Sequence, residues 1–293
     1  MSRVNQSAFE KTGIHYSSIQ TEAIKQAVLC KMLIITGGPG TGKITTLLGI
    51  ISTFQALNQN VLLASPTGRT AKRMSETCGM EAKTIHRLLN FKPPNGFEYN
   101  DTNPLTGDVV ILNECSMIDI VLMNNLLKAV PDSMKVIFIG DIDQLLSVGP
   151  GKVLADLISS TAIKTIRLNS VFRQASGSDI IRNAHRINVG EPLIFNGSKN
   201  PDFFFIQQND NDLIPKMIVD LCKHRLPQHN KVSPISDIQV LCPMSRSTNG
   251  SLNLNALLQQ ALNPSDTLLK RGGIEYRLHD KVMQTRNNYD KNI

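Results

Sequence analysis

The sequence lacks the features of a membrane-bound, secreted or zinc-binding protein. No apolar run approaches the ~18–20 residues that a membrane span needs, and the N-terminus has no apolar core typical of a secretory signal. The histidines lack metal-ligand spacing, and no C-x-x-C pair is present, which argues against a zinc site or a disulfide framework. The cysteines are few and scattered: Cys30, Cys78, Cys115, Cys222 and Cys242. We therefore expect a cytoplasmic protein with reduced thiols and no membrane association.

The composition is that of a folded protein with a basic excess. Of the 293 residues, 41% are hydrophobic and 19% charged, which is ordinary for a globular chain. The length is typical of about two domains of roughly 100–200 residues each. The net charge of +7 permits a polyanionic partner such as a nucleic acid without establishing one.

Short apolar runs alternate with helical stretches in the first half, which predicts a parallel α/β sheet with crossover helices. The runs are continuously apolar, as expected for strands that are covered on both faces. Strands are predicted at residues 33–36, 61–64, 109–112 and 136–140, and helices at 17–29, 43–57, 68–76 and 120–129. Residues 92–106 are predicted to form a surface loop.

This alternation weakens after residue 166, so we predict one domain over residues 1–166 and a second, incomplete one over 167–293. In the second part, helices are expected at residues 179–189 and 252–262, with an amphipathic stretch at 212–225. Strands are expected at 202–208 and 239–242.

The segment GGPGTGK, residues 37–43, directly follows a predicted strand and opens a predicted helix. This is the phosphate-loop pattern in its required context, because glycines let backbone N–H groups converge on phosphate oxygens and Lys43 reaches the β and γ phosphates. A glycine-rich turn that fits by coincidence is the alternative. Ile44 stands where the motif needs a hydroxyl for Mg²⁺, and Thr45 cannot simply replace it because one helical step turns a side chain by ~100°.

Three further segments carry polar residues directly after apolar runs or before a helix. Asn113 and Glu114 stand where an acidic pair is expected, so the charge for Mg²⁺ is lost while a base-like carboxylate remains. Asp141, Asp143 and Gln144 follow another strand, where a γ-phosphate sensor or an Asp-rich turn would fit equally well. Arg173 precedes a predicted helix and is either a charge-stabilising arginine or a surface residue.

Taken in order, these segments resemble a RecD-type DNA helicase of superfamily 1, the branch that moves 5′ to 3′ on single strands. The resemblance extends over nearly the whole chain, through SSIQTEAIKQAV, GGPGTGK, SPTGRTAKRM, KTIHRLL, NECSMID, GDIDQL, VFRQ and DKVMQTRNNYDK. It implies a RecA-like first motor domain and the start of a second, with ATP and Mg²⁺ as cofactors. It also implies single-stranded DNA as partner and a role in recombination and repair.

The resemblance implies roles for individual residues. Gln20 would read adenine, Glu114 would position the hydrolytic water, Gln144 would sense the γ-phosphate, and Arg173 would be an arginine finger. Lys43, which would hold the phosphates, belongs to the same catalytic set as the last three. The nucleotide-binding set is Gln20, Gly38, Pro39, Gly40, Thr41, Gly42, Lys43, Ile44 and Thr45. The implied DNA-contacting set is Pro66, Thr67, Arg69, Lys72, Arg73, Thr84, His86 and Arg87.

The sequence departs from the family pattern at Ile44, Asn113 and Leu146, where the family has Thr, Asp and Pro. The first two changes predict a degraded magnesium site centred on Asn113. The family's N-terminal accessory domain and later motifs are also expected to be missing, so that a protein partner or a further C-terminal segment would complete the second motor domain.

Three functions are consistent with the sequence. The first is a working ATP-driven helicase, and the second is an impaired remnant that binds nucleotide or DNA without turnover. The third is an unrelated phosphate-loop enzyme such as a small-molecule kinase, which would leave the basic excess and the ordered motifs unexplained.

Overall fold

The computed structural model describes residues 13–169, 177–195 and 202–283. The chain divides into two compact units, Met1–Phe204 and Phe205–Ile293. The first unit extends past the predicted boundary at residue 166, because Leu168 and the helix that carries His185 both lie against the phosphate loop. None of the described helices is long and apolar enough to cross a membrane.

The first unit is built on a parallel six-stranded sheet. Its strands are β1 (Met32–Thr36), β2 (Val61–Ser65), β3 (Ala82–Thr84), β6 (Val109–Asn113), β7 (Lys135–Gly140) and β8 (Lys164–Arg167). Their order in the sheet is β3-β2-β6-β7-β1-β8. The predicted α/β class and all four predicted strands are confirmed. The two edge strands, β3 and β8, were not predicted because they are short and mostly polar.

Helices connect these strands and cover both faces of the sheet. They are α1 (Ser18–Leu29), α2 (Lys43–Ala56), α3 (Gly68–Cys78), α4 (Ile85–Leu88), α5 (Ile120–Ala129), α6 (Val153–Ser159) and α7 (Asp179–Asn188). The helices predicted over this part of the chain are confirmed, with ends that differ by up to two residues.

Alternate residues of the central strands enter two separate cores. Ile34 and Leu112 pack into one buried cluster, whereas Ile35 and Ile111 pack into the other together with Phe54. Because successive side chains of a strand point to opposite faces, a strand covered on both faces needs a continuous apolar run. This accounts for the sequence pattern of the central strands.

The predicted loop at residues 92–106 begins with a short antiparallel hairpin. Its strands are β4 (Phe91–Lys92) and β5 (Gly96–Phe97). The rings of Phe91 and Phe97 lie 4.9 Å apart, and each lies 5.7 Å from the ring of His86. The hairpin is therefore fixed to α4 by an aromatic cluster of these three residues.

The regular structure of the second unit is mostly helical. It contains α8 (Leu213–Asp220), a π-helical turn (Leu221–Arg225), α9 (Leu226–Asn230), α10 (Ser251–Leu262) and an antiparallel hairpin of β9 (Thr267–Arg271) and β10 (Ile274–Arg277). The helix predicted at 252–262 is confirmed.

The strands predicted at residues 202–208 and 239–242 are wrong, since both segments are irregular. An extended segment becomes a strand only when a neighbouring strand accepts its backbone hydrogen bonds. Within the described residues of the second unit, β9 and β10 pair with each other, and neither pairs with these segments.

Candidate nucleotide and DNA site

The phosphate loop connects the carboxyl end of β1 to the first residue of α2, the position where open parallel sheets bind ligands. Gly40 and Gly42 have positive φ angles of 74° and 81°, which glycine adopts without strain. A Cβ on Gly37 would lie 2.6 Å from Oγ1 of Thr41, so this position has no room for a side chain. The loop thus adopts a tight path that its glycines permit.

Lys43 points back into this loop. Its Nζ donates hydrogen bonds to the carbonyl oxygens of Gly37 at 2.5 Å and Gly38 at 3.0 Å, and lies 3.7 Å from Oδ2 of Asp141. The ammonium group is thus held beside the loop whose amides and helix N-terminus attract phosphate oxygens. A bound phosphate would therefore have a cation within reach.

Gln20 connects α1 to the same loop. Its Nε2 donates to the carbonyl oxygen of Gly42 at 3.4 Å, while its Oε1 accepts from the N–H of Ser17 at 2.9 Å in a capping box. A glutamine amide has two donor hydrogens and two acceptor lone pairs, so each end retains one that these two hydrogen bonds do not use. The predicted adenine-reading residue therefore lies next to the loop.

The residues at the two predicted magnesium positions do not match the usual donor set. Ile44 is an exposed apolar side chain, and Asn113, buried at the end of β6, offers an amide oxygen without charge. Thr46 is buried and donates its hydroxyl to the carbonyl oxygen of Gly42, so it stabilises the helix. The described residues contain no group of three or more histidine, cysteine or acidic side chains able to hold a metal.

Glu114, the candidate for positioning water, has an unusual backbone conformation. Its φ of 58° is left-handed, at the junction between β6 and a 3₁₀ turn (Cys115–Met117). Such conformations are costly for residues with a side chain and are typical of functional sites. The junction directs the chain away from the sheet directly after Asn113, at the same edge as the phosphate loop.

Asp141 organises the loop that follows β7. Its side chain is 1% exposed and accepts from the N–H of Asp143 at 3.1 Å and from Nε2 of Gln144 at 3.3 Å. β7 lies between β1 and β6 in the sheet, so this loop is flanked by the phosphate loop and by Glu114. The structure therefore brings Lys43, Asp141 and Gln144 together.

The first group of predicted DNA contacts lies at the start of α3. Thr67 caps this helix by accepting from the N–H of Thr70, and Pro66 follows β2 directly. Arg69, Lys72 and Arg73 are exposed, and no ion pair within the described ranges involves them. Their spacing of i, i+3 and i+4 puts the three cations on one helix face.

The second group lies around α4. Thr84 caps this short helix by accepting from the N–H of Arg87, which is exposed. His86 is half-buried in the aromatic cluster, and burial lowers the pKa of its imidazole, although the charge of Asp119 partly opposes this shift. The two groups thus differ, since His86 has a packing role that the exposed arginines lack.

The part of the chain after β8 holds one predicted site residue and one histidine that was not predicted. Arg173 lies outside the described residues. His185, which sequence reasoning did not single out, lies against Gly38 of the phosphate loop. Its segment, residues 179–189, was predicted to be a helix, but this pattern gave the histidine no role.

The chain is similar in sequence to known nucleotide-dependent proteins. Residues 20–150 match the family model of an AAA domain. The ATP-dependent RecD2 DNA helicase of Deinococcus radiodurans is 34% identical over 94% of this chain and 37% of its own length. The RecBCD enzyme subunit RecD of Mycobacterium tuberculosis is 29% identical over 82% of this chain and 48% of its own length.

Among solved structures, the Pif1 helicase from Candida albicans has a TM-score of 0.45 and 22% identity, over 75% of this chain and 56% of that chain. The chain spans less than half the length of the two curated relatives above. Its motifs follow the order that the resemblance implied, and the sequence matches cover nearly all of it. By sequence, the chain therefore belongs with the RecD-like superfamily 1 helicases.

Proposed function

We propose that this chain binds ATP and hydrolyses it as the nucleotide-binding part of a RecD-like motor acting on single-stranded DNA. The observation that carries the proposal is the convergence of Lys43, Asp141 and Gln144 around a phosphate loop at the carboxyl end of β1. The name of the Deinococcus relative, an ATP-dependent DNA helicase, supports the same activity.

In this proposal, the loop amides, the N-terminus of α2 and the Lys43 ammonium bind the phosphates. Gln20 holds the adenine side through its remaining hydrogen-bonding capacity. Glu114 orients the attacking water and Gln144 contacts the γ-phosphate. The arginine-finger role of Arg173 remains a prediction from the resemblance, as does the assignment of residues 167–293 to a second RecA-like domain.

DNA would bind along the cationic face of α3 and at Arg87. Lysine and arginine contacts to phosphates are independent of sequence, so we propose a sequence-tolerant site for a single strand. Action in recombination and repair is proposed on the resemblance to RecD.

The proposal is tested by nucleotide binding and by DNA-stimulated phosphate release. We expect the unmodified chain to bind a fluorescent ATP analogue and Lys43→Ala to lose most of this binding, because it removes the cation beside the phosphates. Lys128→Ala is the matched control, since Lys128 is an exposed lysine on α5.

Three outcomes are informative. Binding by both the unmodified chain and Lys128→Ala, together with phosphate release that oligo-dT stimulates, supports the motor. Binding without release at any Mg²⁺ concentration contradicts hydrolysis and favours a nucleotide-binding remnant. Equal affinity of Lys43→Ala and the unmodified chain contradicts the nucleotide site itself.

A further inference from the structure

His185 lies against the phosphate loop from a helix that the nucleotide-site motifs do not include. A Cβ built on Gly38 would lie 3.0 Å from Cε1 of His185 and 3.8 Å from both ring nitrogens. The edge of the imidazole formed by Nδ1, Cε1 and Nε2 therefore faces Gly38. The carbonyl oxygen of the same glycine accepts hydrogen bonds from Lys43 and from Thr41.

One nitrogen of this ring is without a hydrogen-bond partner among the described residues. Nε2 of His185 is buried and makes no hydrogen bond within the parts of the chain that the structure describes. A buried polar atom without a partner is unfavourable, so such atoms are uncommon and require an explanation. The ring position suggests one, because it lies beside a loop built to hold phosphate.

Other residues of α7 make hydrogen bonds that fix the helix and do not involve His185. The N-terminus of the helix is capped by Asp202, whose carboxylate accepts from Ser178 and from the N–H groups of Asp179 and Ile180. Further along, Asn183 exchanges two hydrogen bonds of 2.8 Å with the backbone of Ile194. The helix that presents the imidazole is thus fixed by contacts that do not depend on the phosphate loop.

We propose that His185 is a phosphate-contacting residue of the nucleotide site, whose Nε2–H donates a hydrogen bond to a phosphate oxygen of bound ATP. This inference deepens the proposed function and rests on it. A neutral or protonated imidazole can donate from Nε2, and a hydrogen bond to a charged oxygen is stronger than one between neutral groups. Bound nucleotide would thereby contact α7, a helix that belongs neither to the phosphate loop nor to α2, the helix that follows the loop.

The test compares the nucleotide affinity of His185 variants, each made in the full 293-residue chain. His185→Phe keeps an aromatic ring against Gly38 but removes the donor, and we expect its affinity for a fluorescent, non-hydrolysable ATP analogue to fall about tenfold. His185→Gln keeps a donor on a flexible side chain and is expected to recover part of this loss. Ile187→Ala is the matched control, because Ile187 is an exposed residue of the same helix, and its affinity should be unchanged.

A spectroscopic measurement follows the His185 ring of the unmodified chain directly. Among the ¹⁵N ring signals of the six histidines, the one that disappears in His185→Gln is assigned to His185, and this variant serves only for the assignment. We expect its Nε2 resonance to shift when the non-hydrolysable analogue is added, and not when adenosine is added.

The outcomes separate the two proposals. If the unmodified chain binds the analogue but His185→Phe binds equally well and the Nε2 signal does not move, His185 has a packing role and this inference is overturned. If the unmodified chain does not bind the analogue, the proposed function and this inference both fail.

Discussion

Nζ of Lys43 lies 3.7 Å from Oδ2 of Asp141, a carboxylate that is almost fully buried at the end of the neighbouring strand. The same carboxylate accepts hydrogen bonds from Asp143 and Gln144. Asp141 is thus a counter-ion of the lysine in the phosphate loop and organises the loop that carries Gln144, the predicted γ-phosphate sensor.

This arrangement predicts that Asp141→Asn binds nucleotide more tightly when Mg²⁺ is absent. The asparagine keeps an acceptor for the N–H of Asp143 but removes a negative charge that repels phosphates and competes for Lys43. We expect the affinity for a fluorescent ADP in EDTA to rise about three- to tenfold. Asp143→Asn is the control, because Asp143 is an exposed carboxylate in the same loop, and this variant should change the affinity for ADP little. Weaker binding by Asp141→Asn would show that the positioning of this loop by the carboxylate matters more for nucleotide affinity than the repulsion by its charge.

The cationic face of α3 predicts a measurable salt dependence. Each phosphate contact to a single strand contributes about −0.7 to the slope of log K against log salt concentration. The triple variant Arg69→Gln, Lys72→Gln, Arg73→Gln should therefore reduce the magnitude of this slope by about 2 for oligo-dT, measured by fluorescence anisotropy. Lys128→Gln should leave the slope unchanged. An unaltered slope in the triple variant would mean that these are solvated helix charges.

The central sheet was predictable because its strands are encoded locally. β1 and β6 are covered on both faces, so their sequences are continuously apolar and end in the polar residues of the site. β3 and β8 carry no such pattern, since each is stabilised by one neighbouring strand at the edge of the sheet. The apolar run at residues 239–242 has strand propensity, yet no described strand pairs with it.

The sequence pointed to candidate residues for the site, but it did not predict which of them contact each other. The strand–loop–helix context pointed to Lys43, and the resemblance pointed to Glu114 and Gln144. All three follow the carboxyl ends of parallel strands, which meet at one edge of the sheet. The pairing of Lys43 with Asp141 and the approach of His185 to Gly38 join residues about 100 and 150 positions apart, and such contacts depend on tertiary packing.

The aromatic cluster predicts a pH dependence of stability through His86. Burial lowers the pKa of this imidazole in the folded state, so folding favours the neutral form. The stabilisation is fully present above the unfolded pKa of about 6.5 and is lost as the pH falls through the lower folded value. The urea midpoint of the unmodified chain should therefore drop more between pH 7.5 and pH 5.5 than that of His86→Phe.

The control for this measurement is His229→Phe, which removes an exposed histidine of the second unit. It should retain the pH response of the unmodified chain. If His86→Phe also retains that response while weakening oligo-dT binding, His86 acts as a DNA contact, as the resemblance implied, and its packing role is secondary.

The two departures at the magnesium positions predict slow hydrolysis that substitution can partly restore. Ile44 provides no oxygen and Asn113 no charge, so the transition state loses two preorganised electrostatic contacts, a loss on the order of 100-fold or more in rate. Binding should suffer less, because the loop and Lys43 contact phosphate directly. The double variant Ile44→Thr, Asn113→Asp should therefore increase Mg²⁺-dependent, DNA-stimulated phosphate release by more than either single change.

Ile44→Val is the matched control, because it keeps an apolar branched side chain at the exposed start of α2 and supplies no oxygen. Its phosphate release across a Mg²⁺ titration should equal that of the unmodified chain. If the unmodified chain already hydrolyses ATP at about 1 s⁻¹ or faster, in the ordinary range of enzymes, then Ile44 and Asn113 are not disabling. The negative charge for the metal would then come from a group other than these two. Asp141, the buried carboxylate beside Lys43, would be the first residue to replace by mutation in a search for that group.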